Sequence, residues 1–476
     1  GRRVRVVMSV GWAHGDFAAL PSVVLVEIYE YLSFRDKLKA SSTCRAWREC
    51  LFHPRFWTTL TIRFSRKRNV WRQAEFLAKK CGRFVRHFTL EFDCTSPQIV
   101  QQCIAILAFL GENRQLASLC LRPTACVVAW PLRLCDASKC SSNENETIAV
   151  YDRFLEVIRQ IICTSCHLEH FSLGCLEDLF HHSDSFLALL SLHQRRSLSQ
   201  LHLASVKEDP DHYPIPEINF WHLQKFKCLS ALSIDYDYVC DQLLLLLSER
   251  SQLLKLVLHV HGLDDRQTIC EGSWLELSRR CPKLRVTITL LHTCEPWTAI
   301  KGLLNAAIPL ARFQSYFSGG FRSDVFDLLS AQYAETLEAV AVVSALSGSE
   351  GIPQRTFAVR AESPVVMLAW RCHRLGSLKL VGHEIADFDL IAVARLRGPQ
   401  LKELVIPADC VSGSSSGGPY YSELRLSDVK HLETEVSMSL QRTWTLTSFQ
   451  SPVQDEVGEI RSYMRSLQEL QGYTSL

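Results

Sequence analysis

Between Ser22 and Leu32 the only charged residues are Glu27 and Glu30, set among Val23, Val24, Leu25, Val26, Ile28, Tyr29, Tyr31 and Leu32. At helical spacing these side chains are apolar around nearly the whole circumference, apart from one narrow polar stripe at i, i+3. A helix of that kind is buried on more than one side. Its host segment, residues 20–57, reads as a short helical hairpin, and a unit of about 40 residues cannot supply all of that cover itself. Pro21 suits a first helical turn, where its missing N–H costs little. Asp36 suits a helix cap. Trp47, Cys50 and Leu51 fall on one face at i, i+3, i+4. Two readings follow: a hairpin packed on its own domain, or one whose apolar face is completed by a partner. The second suits so small and so apolar a unit better.

After residue 80 a different pattern takes over: apolar, two residues, apolar, one residue, apolar. It occurs at Val85-Phe88-Leu90, Leu116-Leu119-Leu121, Leu168-Phe171-Leu173, Leu198-Leu201-Leu203 and Leu229-Leu232-Ile234. It returns at Leu253-Leu256-Leu258, Leu337-Val340-Val342, Leu375-Leu378-Leu380 and Leu401-Leu404-Ile406, with degenerate copies near Leu284 and Leu310. Helix-like periodicity fills the intervals, at 100–110, 151–162, 241–249, 274–280 and 324–333. Most intervals sit near the period of leucine-rich repeats, roughly 20–29 residues, with several a little longer. A short strand and a helical return cannot bury their apolar sides alone, so neighbouring units stack into a continuous core. The long gap from Leu116 to Leu168 implies an insertion around 135–147 or one undetected copy. SGSSSGGP (412–419) and SGSEGIP (347–353) read as flexible excursions.

Composition adds limits rather than chemistry. The 476 residues are 47% hydrophobic and 21% charged, with a formal net charge of +2. That balance gives no electrostatic case for nucleic acid or an anionic membrane. No apolar run approaches bilayer length, and Gly11, His14 and Asp16 interrupt any signal-like core near the start. The 19 cysteines then read as reduced thiols of a cytoplasmic or nuclear protein. Cys163, Cys166, His167, His170 and Cys175 form the densest ligand-like group. A strand beginning near Leu168 would send His170 and Phe171 to opposite faces, so a structural reading is preferred to zinc. His181-His182 with Asp184 reads as loop surface. Cys50 lies on an apolar helical face, unsuited to a nucleophile. No Walker phosphate loop is present and no Gly-x-Ser-x-Gly nucleophile elbow: the string Gly413 to Gly417 fits that spacing but belongs to a Ser-rich excursion. Trp221, Trp274, Trp297, Trp370 and Trp444 read as core. The sequence therefore calls for neither a cofactor nor a metal.

The N-terminal hairpin resembles an F-box. The features that carry the resemblance are Leu20-Pro21, Ile28, Leu32, Asp36, Leu38, Cys44-Arg45, Trp47 and Trp57, in the family's order and spacing. Two positions depart from it: Val23 stands where the family usually has Glu, and Lys37 where Leu is common. The later chain resembles the Cys-containing leucine-rich repeat often joined to F-boxes. Lys80-Cys81-Gly82-Arg83-Phe84, Arg280-Cys281-Pro282-Lys283-Leu284 and Arg371-Cys372-His373-Arg374-Leu375 each precede a strand, and there the thiol would be a small buried filler. Resemblance to F-box proteins continues through 40–52, 76–86 and 365–406 and covers most of residues 20–450.

The resemblance implies an α/β fold: a short helical F-box, then a leucine-rich-repeat-like solenoid, a horseshoe with parallel strands on its concave face. The expected organisation is a disordered extension at 1–19, the F-box at 20–60, a helical linker at 61–80, the solenoid at 81–450 and a C-terminal cap or tail at 451–476. The implied role is the substrate-recognition subunit of an SCF-type cullin-RING ubiquitin ligase, with no catalysis of its own. Leu20, Pro21, Ile28, Leu32, Leu38 and Trp47 would form the frame that docks on the Skp adaptor. The cullin scaffold and RING subunit would be reached through that adaptor, and the solenoid would hold a protein substrate. Neither nucleic acid nor membrane is implied as a partner. The alternative is a non-degradative scaffold of the same architecture.

Overall fold

Alternating burial along Thr59–Phe64, with Leu60, Ile62 and Phe64 inward, makes the first strand of a sheet that continues as far as Glu403–Val405. The structure is a computed structural model describing residues 17–66, 70–130, 143–249, 252–263, 269–294, 297–319, 321–344, 353–357, 362–413, 426–447 and 463–468. Most of the expected N-terminal extension and both glycine- and serine-rich excursions lie largely outside these residues.

Three helices come first: α1 (Ser22–Glu30), α2 (Phe34–Ser41) and α3 (Arg45–Leu51). Then follow β1 (Thr59–Phe64), α4 (Trp71–Cys81), β2 (His87–Phe92), α5 (Pro97–Leu110), β3 (Ser118–Pro123) and α6 (Asn143–Thr164). Next are β4 (His170–Ser172), α7 (Glu177–Phe180), α8 (Ser183–His193), β5 (Gln200–His202), β6 (Ala231–Asp235), α9 (Asp241–Ser248) and β7 (Lys255–Val260). The run continues with α10 (Glu271–Arg280), β8 (Arg285–Leu291), α11 (Trp297–Leu303), β9 (Leu310–Tyr316), α12 (Asp324–Gln332), β10 (Ala339–Val343) and α13 (Pro364–Arg371). It ends with β11 (Ser377–Val381), β12 (Ile385–Ala386), α14 (Asp387–Arg397), β13 (Glu403–Val405), β14 (Val411–Ser412) and α15 (Leu426–Leu440).

Among the described residues the main sheet has twelve strands in chain order, β1 through β11 and then β13, and every pairing is parallel. This is the expected α/β solenoid. Strands lie about 4.8 Å apart whereas helices need about 8–10 Å, so such a stack curves with its sheet inside.

The solenoid starts earlier than residue 81. Residues 61–80, expected as a helical linker, contain most of β1 and then α4. β1 pairs with β2 in register, Leu60 opposite Phe88 and Ile62 opposite Leu90. Trp57-Leu60-Ile62 in fact carries the repeat signature. Trp57 therefore serves two units at once, closing the hairpin and opening the sheet. The long gap is an insertion and not a hidden copy, because β3 pairs directly with β4. Leu310 looked degenerate because a register shift falls between Val286 and Thr287 where β8 meets β9.

Polar side chains tie one repeat to the next. Asn113 Nδ2 donates to the Gly82 and Val85 carbonyls at 2.7 and 2.6 Å. Gln194 Nε2 donates to Ile162 and Ser165 at 2.9 and 2.6 Å, while its Oε1 accepts from Leu168 N. Gly174 and Gly382 end β4 and β11 with φ of +70° and +81°, and a Cβ there would collide with the Leu121 and Ser344 carbonyls. Cys81, Cys281 and Cys372 are buried where the chain turns into β2, β8 and β11. Burial pushes the Cys81 and Cys372 thiols up to about 11 and about 12, so they behave as small apolar fillers.

Candidate partner-binding surfaces

The hairpin divides its apolar residues between two arcs. Leu25, Val26 and Tyr29 are buried, and the Tyr29 hydroxyl donates to the Trp47 carbonyl at 2.7 Å. Trp47 Nε1 donates in turn to the Phe17 carbonyl at 2.9 Å. Trp57 Nε1 donates to the Leu51 carbonyl at 2.6 Å, and Phe52 meets Phe76 of α4 edge-on, fastening the hairpin to the first repeat. The helix α2 is capped by Ser33 and not by Asp36: Ser33 Oγ accepts from Asp36 N at 3.2 Å and donates to its carboxylate at 2.7 Å.

On the other arc Val23 is 72% exposed, Tyr31 88% and Leu38 47%, with Val24 also open. Of the residues named from sequence, Pro21 and Leu38 are exposed, whereas Leu20, Ile28, Leu32 and Trp47 are half-buried. Val23, Val24 and Tyr31 were not among them. A signal for these was available: at 100° per residue Glu27 falls in the middle of the arc formed by residues 20, 23, 24 and 31. The glutamate marks the side of α1 that faces solvent.

The sheet presents a second surface. Its odd-numbered positions on β7 and β8, and their register partners, point away from the helices. The C-terminal helical segment 463–468 lies on this face. Tyr463 stacks on Tyr316 at 5.0 Å and contacts His292, while Gln468 Nε2 donates to the Pro123 and Gly174 carbonyls. A six-residue helix is about 9 Å long. To reach β9 and the end of β3 together, the sheet must wrap around it.

Two recesses flank this segment. One, about 660 Å³, is lined by Arg63, Glu91, Arg122, Met464 and Gln468. Glu91 in it is held by Arg63 at 2.5 Å and by Arg122 at 3.3 Å, and Arg465 also lines it. The other, about 520 Å³, is lined by Lys255, Arg285, Arg312, Glu338, Lys379, Glu403 and Ser466, among others. Arg285 pairs with Glu338, and Glu403 accepts from Ser377 Oγ at 2.7 Å. Burial, and then the nearby Arg312, pull Lys255 down to about 8.

Between the recesses the sheet face is polar but closed. Lys207 Nζ lies 3.2 Å from Asp235 Oδ2, both side chains almost fully buried. Asp235 also accepts from Ser205 N at 2.8 Å and Ser205 Oγ at 2.6 Å. Burial raises its carboxyl, but Lys207 and the His261 hydrogen bond outweigh that and hold it well below the usual range. Lys207 also sits over the rings of Phe180 and Tyr213 at 4.2 and 5.0 Å. Both ring nitrogens of His202, Nε2 of His259 and the Ser233 hydroxyl are buried with no hydrogen-bond partner among the described residues. Nothing in the repeat pattern announced this strip, because its residues occupy the positions between the leucines.

The cysteine–histidine group does not converge. Cys163 and Cys166 are exposed, Cys175 is buried in a separate apolar cluster, and His170 pairs its ring with Ser118 Oγ. Among the described residues no group of three or more His, Cys, Asp or Glu side chains is placed to hold a metal ion. Burial raises the Cys50 thiol, which disfavours thiolate. Trp274 and Trp444 are core as expected, but Trp221 and Trp370 are more than half exposed on the helical side, where α8 and α14 leave them uncovered. No described helix is long and apolar enough to cross a membrane.

Residues 17–63 match the F-box-like family. Over 524 residues the chain is 26% identical to F-box only protein 33 of Mus musculus, covering 98% of this chain and 90% of that protein. The Homo sapiens protein of the same name is 25% identical over 98% and 91% of the two chains. Among solved structures, the yeast Rad7–Elc1 complex aligns with 86% of this chain and 92% of the matched chain, at 17% identity and a TM-score of 0.42. That likeness is too distant to support a functional argument.

Proposed function

We propose that this chain, a divergent relative of F-box only protein 33, is the substrate-recognition subunit of an SCF-type cullin-RING ubiquitin ligase. The observation that carries the reading is the open apolar arc of the hairpin. Val23, Val24, Tyr31 and Leu38 stay exposed although the hairpin is fastened to the first repeat. Leu20, Pro21, Ile28 and Leu32 border that arc and complete the surface for the Skp adaptor, with Trp47 supporting it through Tyr29. Burying one such aliphatic side chain contributes about 1.5–3 kcal/mol, so a few together hold a complex. The cullin scaffold and RING subunit are then reached through the adaptor. The solenoid holds the target protein near the ubiquitin-charged enzyme, and the contribution to rate is proximity.

The test is co-purification of purified Skp-type adaptor with the full chain carrying Tyr31→Asp and Leu38→Asp together. A charge placed in a dry interface is expected to weaken capture by at least about a hundredfold, with the thermal melt of the free chain unchanged. Undiminished capture would remove the adaptor reading. Accelerated turnover of a bound target that persists without residues 17–63 would remove the ligase reading even if the adaptor binds.

A further inference from the structure

In the second recess of the sheet face two cations stand without a direct ion pair among the described residues. Arg312 on β9 and Lys379 on β11 stand in it half-buried. Neither makes an ion pair or hydrogen bond among the described residues, and Glu403, the nearest carboxylate acting on both, is engaged by Ser377. Lys255 on β7 adds a third cation, and Arg285 beside it is committed to Glu338. One carboxylate shared between two half-desolvated cations leaves a surplus of positive charge at Arg312 and Lys379, which an anionic ligand would offset.

Resting on the receptor reading above, we propose that this recess recognises an extended acidic segment of the target protein, its Asp and Glu carboxylates distributed along the chain. The spacing decides the class. β7, β9 and β11 are alternate strands of the sheet, so their side chains rise about 10 Å apart. Three residues of peptide in the extended polyproline II conformation span about 9 Å and return the side chain to the same face, which lets carboxylates at every third position meet successive cations. A single phosphate would need these groups to converge on one point, and the register keeps them apart: Arg312 lies level with Ser377, one pleat below Lys379. A nucleic acid is disfavoured by the lack of an exposed aromatic platform among the residues lining the recess. The Ser466 side chain, hydrogen-bonded to Tyr316, closes one end and sets where the peptide must turn out.

The probe is a short fluorescein-labelled peptide of Gly and Ser with Glu at every third position, titrated by anisotropy into the full chain bound to its adaptor. Its comparators are the Gln version, a Gln version with one phosphoserine, and a single-stranded oligonucleotide. The Glu peptide is expected to bind at least about tenfold more tightly than the Gln peptide. Arg312→Gln with Lys379→Gln should erase that preference, Arg312→Lys with Lys379→Arg should keep it, and raised salt should shrink it. Equal binding of Glu and Gln peptides, or tighter binding of the phosphopeptide or oligonucleotide than of the Glu peptide, overturns the proposal. If the Gln variant fails to fold, the wild-type salt series decides: a preference unaffected by salt counts against it. Adaptor capture is read on the same samples. Intact capture without acidic preference strikes this inference alone, and lost capture with the preference retained strikes the receptor reading alone.

Discussion

The hairpin and the middle of the sheet face reverse the usual allocation of side chains. At the hairpin Val23, Tyr31 and Leu38 stand in solvent; between β4 and β7 Lys207, His202, Asp235 and His259 are shut away from it. Neither arrangement follows from residue type. A three-helix unit has one flank to lay on the first repeat, so the other arc of α1 has nothing among the described residues to cover it. The sheet, curled around the C-terminal helical segment, closes its central strip whatever that strip contains. Greasy residues left open need a partner in trans, whereas polar residues sealed in must find one in cis, and the two conditions respond to opposite perturbations.

The strongest way to break the comparison is acid. His202, His259 and His383 are each at most 1% exposed. Burial holds His259 and His383 at about 4 and His202 well below its usual value. Unfolded histidine titrates near 6.5, so between about pH 6.5 and 4 the unfolded chain binds more protons than the folded one. Stability therefore rises with pH across that window, flattens above it, and falls as acid is added. Each group contributes up to about 1.4 kcal/mol per pH unit. Urea midpoints measured from pH 8 to pH 5 should stay level and then drop steeply. A profile flat to pH 5 would mean that neither the strip nor the His383 site after β11 is sealed from water.

A narrower probe is the ion pair itself. Asp235→Asn leaves Lys207 buried without its counter-charge and should cost about 3–5 kcal/mol of folding stability. Replacing both, Lys207→Met with Asp235→Leu, should cost less than the single change, since no charge is then stranded. Guanidinium denaturation of the three proteins gives the comparison. A double variant as damaged as Asp235→Asn would show that the pair contributes through the Ser205 hydrogen bonds, not through its charges.

Repetition made the solenoid legible, and isolation hid the rest. The strand signature recurs because each unit must bury the same three apolar positions, so single errors average out. Where one residue served two units, as Trp57 does, the first strand was assigned to a linker. The F-box frame was readable as a set of residues, but not as two arcs, until Glu27 is used to orient α1. The sealed strip and the cationic recess were invisible for a different reason. Their members occupy the variable positions of separate repeats, and Arg312 and Lys379 become neighbours only through strand register. The tie between Gln468 and Gly174, nearly three hundred residues apart, has no local signature at all.

The smallest expected effect sharpens the other half of the comparison. Val23→Ser, Val24→Ser, Tyr31→Ser and Leu38→Ser remove apolar surface that touches water in the free chain, so each should change folding stability by no more than about 0.5 kcal/mol. Leu25→Ser, on the buried arc of the same helix, leaves a hydroxyl in an apolar site and should cost at least about 2 kcal/mol. An open greasy arc also favours self-association, so the serine variants should remain monomeric at concentrations where the parent chain does not, as read by light scattering. If the four substitutions instead lowered the melt as Leu25→Ser does, the exposed arc would be packed within this polypeptide in solution. The hairpin would then resemble the sheet face, self-sufficient and closed, and its claim on an adaptor would lapse.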